Sequence, residues 1–430
     1  MMKSPYEHFK SFSKIDRCSL KATPMKEFLI NFGENLGYEI KTDKAGNVLC
    51  SKGEPVLCLQ SHYDMVCIGE APNAELYEEE GWLKAKNSTL GADNGIGVAI
   101  MLSMMEKFNN IECLFTADEE VGLIGANNME IELKAPYLLN LDSEEEGAII
   151  IGCAGGINII GEIELDFEVS NTDGKFYKIE TFGFAGGHSG LKIVDNIPSA
   201  IKTLVYELVK IEDCELVDFS GGEVSNSIPK NAVAVIKTAK KPEITHPNIK
   251  VEEYKSTNDK TIKQSKNILG FINSFAQGVR AYNQELDMPN DSINLGTVKI
   301  ENGVLQVDCF ARSMSDEGLD ILKSETTSLY IAFGFNVSYG HRFTPWKIKD
   351  SEFSKIVSSV AGEFWDRVTI KGVHAGLECG VIQATQKRDT QVVAIGPNIT
   401  GAHSLEEKCE LASVDKVTKI IETLIIKLQK

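Results

Sequence analysis

The sequence predicts an α/β protein: a mixed, largely parallel sheet with helices on both faces, interrupted by an inserted α+β domain. Three observations carry this. Short β-like runs alternate with helical ones from Leu20 to about Ile150, the pattern changes at the glycine-rich "IIIGCAGGINII", and the alternation returns after about Phe335. A chain of 430 residues also exceeds the size at which a single core stops growing. The expected division is therefore a discontinuous domain of residues 1–157 and 338–430, with residues 158–337 as the second domain.

In chain order, "PVLCLQSHYDMV", "IECLFTADEE" and "YLLNLDSEEEG" read as strands that end in polar clusters. Between the first two, "NGIGVAIMLSMMEKF" is apolar nearly all round and reads as a buried helix capped by Asp93 or Asn94. In the insert, Ile201, Leu204, Val205 and Leu208 share one helical face, and Glu301-Asn302-Gly303 is a hairpin turn signal. The stretch "KKPEITHPNIKVEEYKSTNDKTIKQSK" is polar with little apolar periodicity, and is expected to be a solvated loop. A last helix puts Val417, Ile420, Ile421, Leu424 and Leu428 on one stripe, so the C-terminal segment completes the first domain.

Composition excludes several classes of function. With 43 % hydrophobic and 25 % charged residues the chain is ordinary globular material. Its 44 basic and 62 acidic side chains give a net charge of −18, which disfavours nucleic acid and anionic membranes as partners. Ten cysteines are scattered without a close pair and are expected to be reduced, packed thiols. The start, "MMKSPYEHFKSFSKIDR", has no signal-peptide pattern and no run is long enough to span a membrane, so the expected compartment is the cytoplasm.

The chemistry-bearing residues gather at predicted strand ends. His62 and Asp64 lie two apart at the end of a strand, so both side chains leave the same face. Asp118-Glu119-Glu120 and Asp142 follow other strands, Asp93 begins the buried helix, and His403 follows the strand-like "QVVAIG". Open α/β sheets bind ligands at the carboxyl ends of their strands. Four acidic clusters at one such edge would repel one another unless cations were present, and carboxylates with imidazole suit zinc, or manganese or cobalt. Singly, each signal is weak: a lone His-x-Asp is more often a satisfied polar pair, and "DSEEEG" around Glu145 and Glu146 reads as a solvated charge run.

Taken together and in order, "LQSHYDMV", "LGADNGIGVA", "TADEEVGLIGA", "LNLDSEEEG", "CAGG", "GGHSG", "NSIPKNA", "HAGLECG" and "GPNITGAHS" resemble the motifs of bacterial aminoacyl-histidine dipeptidases, relatives of carnosinases and di-zinc aminopeptidases. The resemblance implies a di-zinc exopeptidase-like fold whose insert serves as lid and dimerisation domain. It implies two divalent ions, one held by His62, Asp93 and Asp142, the other by Asp93, Glu120 and His403, with Asp93 bridging. Glu119 becomes the general base and Asp64 the partner that orients His62. His188 is assigned to the oxyanion in the neighbouring subunit, Asn226 and Arg312 to substrate binding, Gly376 to close approach of the substrate backbone, and Glu378 to the free amino group. The implied protein is a cytoplasmic homodimer that hydrolyses short unblocked peptides, especially dipeptides ending in histidine. A tripeptidase, an N-acyl-amino-acid hydrolase and a catalytically silent metal- or peptide-binding protein are the rival readings.

Overall fold

The computed structural model describes residues 2–170, 172–256 and 259–430. The chain forms two compact units. The first comprises Met1–Cys153, Trp346–Gly372 and Leu377–Lys430, and the second Ala154–Pro345 with Val373–Gly376. The breaks lie at 153/154 and 345/346 where the sequence suggested 157 and 338, because Gly155–Glu164 and Asn336–Phe343 are paired strands of the second unit's own sheet.

The first unit is built on eight strands: β1 (Glu39–Thr42), β2 (Val48–Lys52), β3 (Leu57–His62), β4 (Ile111–Thr116), β5 (Tyr137–Asn140), β6 (Ala148–Cys153), β7 (Thr369–Val373) and β8 (Gln391–Ala394). They lie in the order β1-β2-β4-β3-β5-β8-β6-β7. The centre is parallel, since β3 pairs with β4 and β5, and β5 with β8. The flanks are antiparallel, at β1 with β2, β2 with β4, and β6 with β8.

Burial on both faces explains the continuous apolar strands. On one face Leu57, Leu59, Ile111, Cys113, Phe115, Leu139 and Val393 join a core with Phe9, Phe12, Met25, the helix Ala92–Lys107, Phe353, Val357 and the apolar stripe of the last helix, Leu411–Leu428. On the opposite face lie Gln60 and Thr116, which both donate at 2.6 Å to the Glu378 carboxylate at the head of the helix Glu378–Thr385. A smaller sheet in this unit pairs Glu75–Glu79, Trp82–Lys86, Lys408–Glu410 and Ile399–Thr400.

The second unit is a nine-stranded antiparallel sheet with the helices Ala200–Leu208, Ser265–Ser274 and Asp316–Ala332 packed into one apolar cluster. Asn302 and Gly303, both at positive φ, turn the strand Met288–Glu301 into Val304–Ser313, the geometry a two-residue hairpin of type I′ requires. The polar stretch 240–266 differs from the expected loop. It contains the strands Ile249–Tyr254 and Lys260–Ile262, and Thr257 and Asn258 lie outside the described residues. Ile249–Tyr254 is the edge strand of its sheet and mostly exposed, so it has no need of apolar periodicity.

The cysteines divide. Eight are buried and outside any disulfide, but Cys18 and Cys67 form a disulfide with Cα atoms 5.5 Å apart, which corrects the expectation that all ten are reduced. Their separation of 49 residues hid the pair from a search for close spacing. The bridge ties the segment around Arg17 to the exit of β3. Replacing both cysteines by serine is expected to lower stability by about 4 kcal/mol, the chain-entropy value for a loop of that length. Urea unfolding with and without a dithiol reads this directly; identical midpoints for oxidised and reduced protein would refute it.

Candidate active site

Because β3, β4, β5 and β8 run parallel, their carboxyl ends share one edge of the sheet. His62 closes β3, Glu119 and Glu120 follow β4, Asp142 follows β5, and His403 follows β8. Asp93 comes from the head of the Ala92–Lys107 helix. Its N-cap is Gly91 rather than Asp93 or Asn94, and both of those residues depart from helical dihedrals, so Asp93 projects from a loop-like turn at the helix end. Gly91 has φ of 67°, and a Cβ there would stand 2.7 Å from Met65 Cε and overlap the Arg17 guanidinium. Only glycine fits.

The side chains converge. Asp93 Oδ1 lies 3.1 Å from His62 Nε2, and Asp93 Oδ2 lies 3.1 Å from His403 Nε2. Asp142 Oδ1 approaches His62 Nε2 at 3.4 Å, and Glu120 Oε2 approaches His403 Nε2 at 2.8 Å. Three groups of potential ligand atoms each fall within 4.8 Å: His62 with Asp93 and Asp142, Asp93 with Glu120 and His403, and His62 with Glu119 and Glu120. The second and first groups meet at Asp93, one carboxylate oxygen for each histidine.

Asp64 supports this arrangement from below. Fully buried, it sets Oδ1 3.4 Å from His62 Nδ1 and accepts backbone hydrogen bonds from Glu119 at 3.0 Å and Glu120 at 3.3 Å. Ser19 Oγ donates to its other oxygen at 2.8 Å. One carboxylate thus fixes both an imidazole and the turn bearing two acids.

Charge in the chain alone is badly balanced. Burial pushes the Glu119 carboxyl well up, Glu120 up to about 7 and Glu144 up to about 8, each reinforced by neighbouring carboxylates. Asp142 is raised for the same reason. Burial opposes ionisation of Asp93, yet hydrogen bonds from His403 and His62 hold it below the usual carboxylate range. Burial likewise opposes the two imidazolium ions, but the surrounding acids raise His62 well above its ordinary value and His403 to about 11. Glu120 Oε1 is buried without a hydrogen-bond partner. This is a donor set with surplus negative charge and an orphaned oxygen, and it fits divalent cations bound by mixed imidazole and carboxylate.

Three further predicted residues lie in the second unit. His188, in a two-residue strand paired to Ser227–Ile228, accepts at Nδ1 from the Leu191 amide at 3.2 Å, and its Nε2 lies 3.2 Å from Arg312 Nη2. Arg312 is 3 % exposed, with its guanidinium 4.7 Å from the Phe310 ring centroid. Asn226 is exposed, and its carbonyl accepts from the Ser189 amide at 2.9 Å. These form one patch. Gly376 also falls in this unit, where a Cβ would stand 2.8 Å from Phe343 Cε2; packing already requires glycine there.

Glu378 is 0 % exposed, with Oε2 held by Gln60 and Thr116, and burial pushes its carboxyl up to about 7; it meets other side chains of its own unit here, and Oε1 has no hydrogen-bond partner among the described residues. Sequence reasoning missed Arg17, whose buried guanidinium donates to the carbonyls of Gly91 and Asp64, and Glu407, which binds the loop before Asp93. In the second unit it passed over His374, whose Nε2 lies 2.7 Å from Ser292 Oγ. The "HAGLECG" motif was the available signal for His374, and the paired glutamates of "HSLEE" for Glu407.

Residues 58–427 match the family described as Peptidase family M20/M25/M40. The chain is 29 % identical, over 98 % of its length and 96 % of the other's, to the cytosol non-specific dipeptidase of Escherichia coli K12. The crystal structure of aminoacylhistidine dipeptidase from Vibrio alginolyticus aligns with a TM-score of 0.73 at 26 % identity, covering 97 % of this chain and 96 % of that one. Human carnosine dipeptidase 1 shares the fold, with a TM-score of 0.57 at 13 % identity over 99 % of this chain and 96 % of that one. Among the described residues, no helix is long and apolar enough to cross a membrane.

Proposed function

On the premise that the chain belongs to Peptidase family M20/M25/M40 and is a metal-dependent peptide hydrolase, we propose that it is a dipeptidase acting on short unblocked peptides, with aminoacyl-histidine dipeptides as the first candidates. The observation that carries this is Asp93, which offers one oxygen towards His62 and the other towards His403. We assign His62, Asp93 and Asp142 to one divalent ion and Asp93, Glu120 and His403 to a second, with zinc preferred and cobalt or manganese as alternatives.

When bound, such ions supply Lewis acidity, polarising a peptide carbonyl and making water a nucleophile near neutral pH. The chain does the rest. Glu119 accepts the proton of the attacking water at its carboxylate and returns it to the leaving amine nitrogen. Asp64, through the Glu119 and Glu120 amides, keeps that carboxylate in register with the ligands. Arg312 pairs its planar fork with the terminal carboxylate of the peptide, Asn226 and Gly376 line the bound backbone, and His188 of a neighbouring subunit donates to the developing oxyanion. The homodimer and the cytoplasmic location are part of the same reading, the latter supported by the cytosolic relative.

The test is a screen of dipeptides, tripeptides and N-acyl-amino acids against the zinc, manganese and cobalt forms. Dipeptides with a free amine are expected to be cleaved fastest, and chelator-stripped protein to be inactive until an ion is restored. Faster cleavage of tripeptides or acylated amino acids would overturn the substrate assignment while leaving the metal chemistry standing. Full activity after stripping would overturn both.

A further inference from the structure

We propose that Glu407, which is not among the assigned ligands, is the positioning residue that sets the carboxylate of Asp93 between the two metal positions. The inference rests on the reading of Asp93 as the shared ligand.

Glu407 is 3 % exposed. Its Oε2 accepts from the amides of Leu90 at 2.7 Å and Gly91 at 2.9 Å, and its Oε1 from those of Ala92 at 2.8 Å and Asp93 at 3.2 Å. A single carboxylate therefore organises four consecutive N–H groups, the last belonging to Asp93 itself. Helix starts leave such amides without partners, and an ordinary cap satisfies one or two of them from the preceding residue. Here the acceptor comes from 314 residues further along the chain.

Where it comes from matters. Ile399–Thr400 and Lys408–Glu410 are antiparallel partners, and the loop between them carries both His403 and Glu407. His403 Nε2 reaches Asp93 Oδ2, while Glu407 holds the backbone of the same residue. Lys408–Glu410 pairs in turn with Trp82–Lys86, the strand that feeds the Leu90–Asp93 segment. One hairpin loop thus presents a ligand and, four positions on, the device that aims the ligand it must share an ion with.

Other restraints leave Glu407 the main control on that segment's amides. The Arg17 guanidinium donates to the Gly91 carbonyl, and Asn94 Nδ2 donates to the Leu141 carbonyl at 2.8 Å, next to Asp142. Both fix the flanks of Asp93. Neither touches its N–H. Placing another buried carboxylate beside an acidic cluster costs electrostatic energy, and a purely structural cap could be neutral; the charge-assisted bonds are stronger and shorter, which suits a part that must hold Asp93 against the pull of two cations.

The experiment compares Glu407→Gln, Glu407→Asp and Asp93→Asn with the wild type, each stripped by chelator and titrated with zinc against a competing indicator. Cobalt absorption spectra, kcat and KM on the best dipeptide, and unfolding midpoints with and without metal complete the set. Glu407→Gln keeps the shape but turns an N–H₂ towards two amides. It is expected to weaken ion binding about 10- to 100-fold, to change the cobalt spectrum, and to lower kcat at saturating metal while KM stays within about twofold. Glu407→Asp keeps charge and acceptors on a shorter stem and should fall between Gln and wild type; it decides by the same readouts if Glu407→Gln does not fold. Wild-type ion affinity, spectrum and kcat in variants whose only change is a lower unfolding midpoint would show a structural cap and overturn the proposal. Should Asp93→Asn bind ions as tightly as wild type, the shared-ligand reading falls and takes this one with it, whereas loss in Asp93→Asn alone rejects Glu407 only.

Discussion

Replacing Glu119 by glutamine is expected to lower kcat about 10²- to 10⁴-fold, the contribution typical of a general base, while both ions remain bound. The substitution is nearly isosteric and removes the carboxylate's charge together with its ability to accept a proton. Its backbone anchor survives, because the amide of residue 119 donates to Asp64 regardless of the side chain. KM should change little, since the glutamine still fills the same volume. Metal analysis alongside steady-state kinetics separates the two contributions. A variant with both ions and wild-type turnover would remove Glu119 from the mechanism, and one that has lost an ion would show it to be a ligand.

The second large effect is expected from His62→Ala. The imidazole touches three carboxylates: Asp93 at 3.1 Å, Asp142 at 3.4 Å and Asp64 at 3.4 Å. It is also 1 % exposed, so water cannot take its place cheaply. Without it, the metal-free protein retains buried acids and loses the cation that offsets them, at a cost of about 3–5 kcal/mol. The same change removes a ligand, so ion content should drop by one and dipeptide hydrolysis should become undetectable. Urea unfolding at pH 7 in chelator measures the first consequence and elemental analysis the second. Unaltered metal-free stability would mean that the neighbouring acids are already neutral without His62.

How much of this could be read from the sequence depends on which residues follow a period. His62 and Asp64 were legible because a strand alternates sides and both fall on one; Asp142 and His403 because each follows a short apolar run that reads as a strand. The nine-motif resemblance joined these into one set. Arg17 was invisible for the opposite reason: "KIDRCSL" has no periodicity, and its guanidinium is buried by contacts with backbone carbonyls that sequence does not encode. Glu406 and Glu407 are adjacent and identical in type, yet only the latter turns inward, a choice made by the hairpin loop and not by composition. The burial of Glu378 was not legible, because a glutamate in a glycine-rich motif looks exposed, whereas Gln60 and Thr116 hold its Oε2 within the fold. The strand Ile249–Tyr254 was hidden by its own exposure at the sheet edge.

The ordering of the ligands along the polypeptide carries a consequence for synthesis. Asp93 and His403 are 310 residues apart, so at translation speeds of about 5–20 residues per second the nascent protein waits roughly 15–60 s between making the two. Throughout that interval the early acids have neither the late imidazole nor Glu407, and the proposed second ion site lacks one of its three residues. Under the proposed ligand assignment, the site is therefore complete only once the segment carrying His403 and Glu407 has been made and has docked against the Leu90–Asp93 turn.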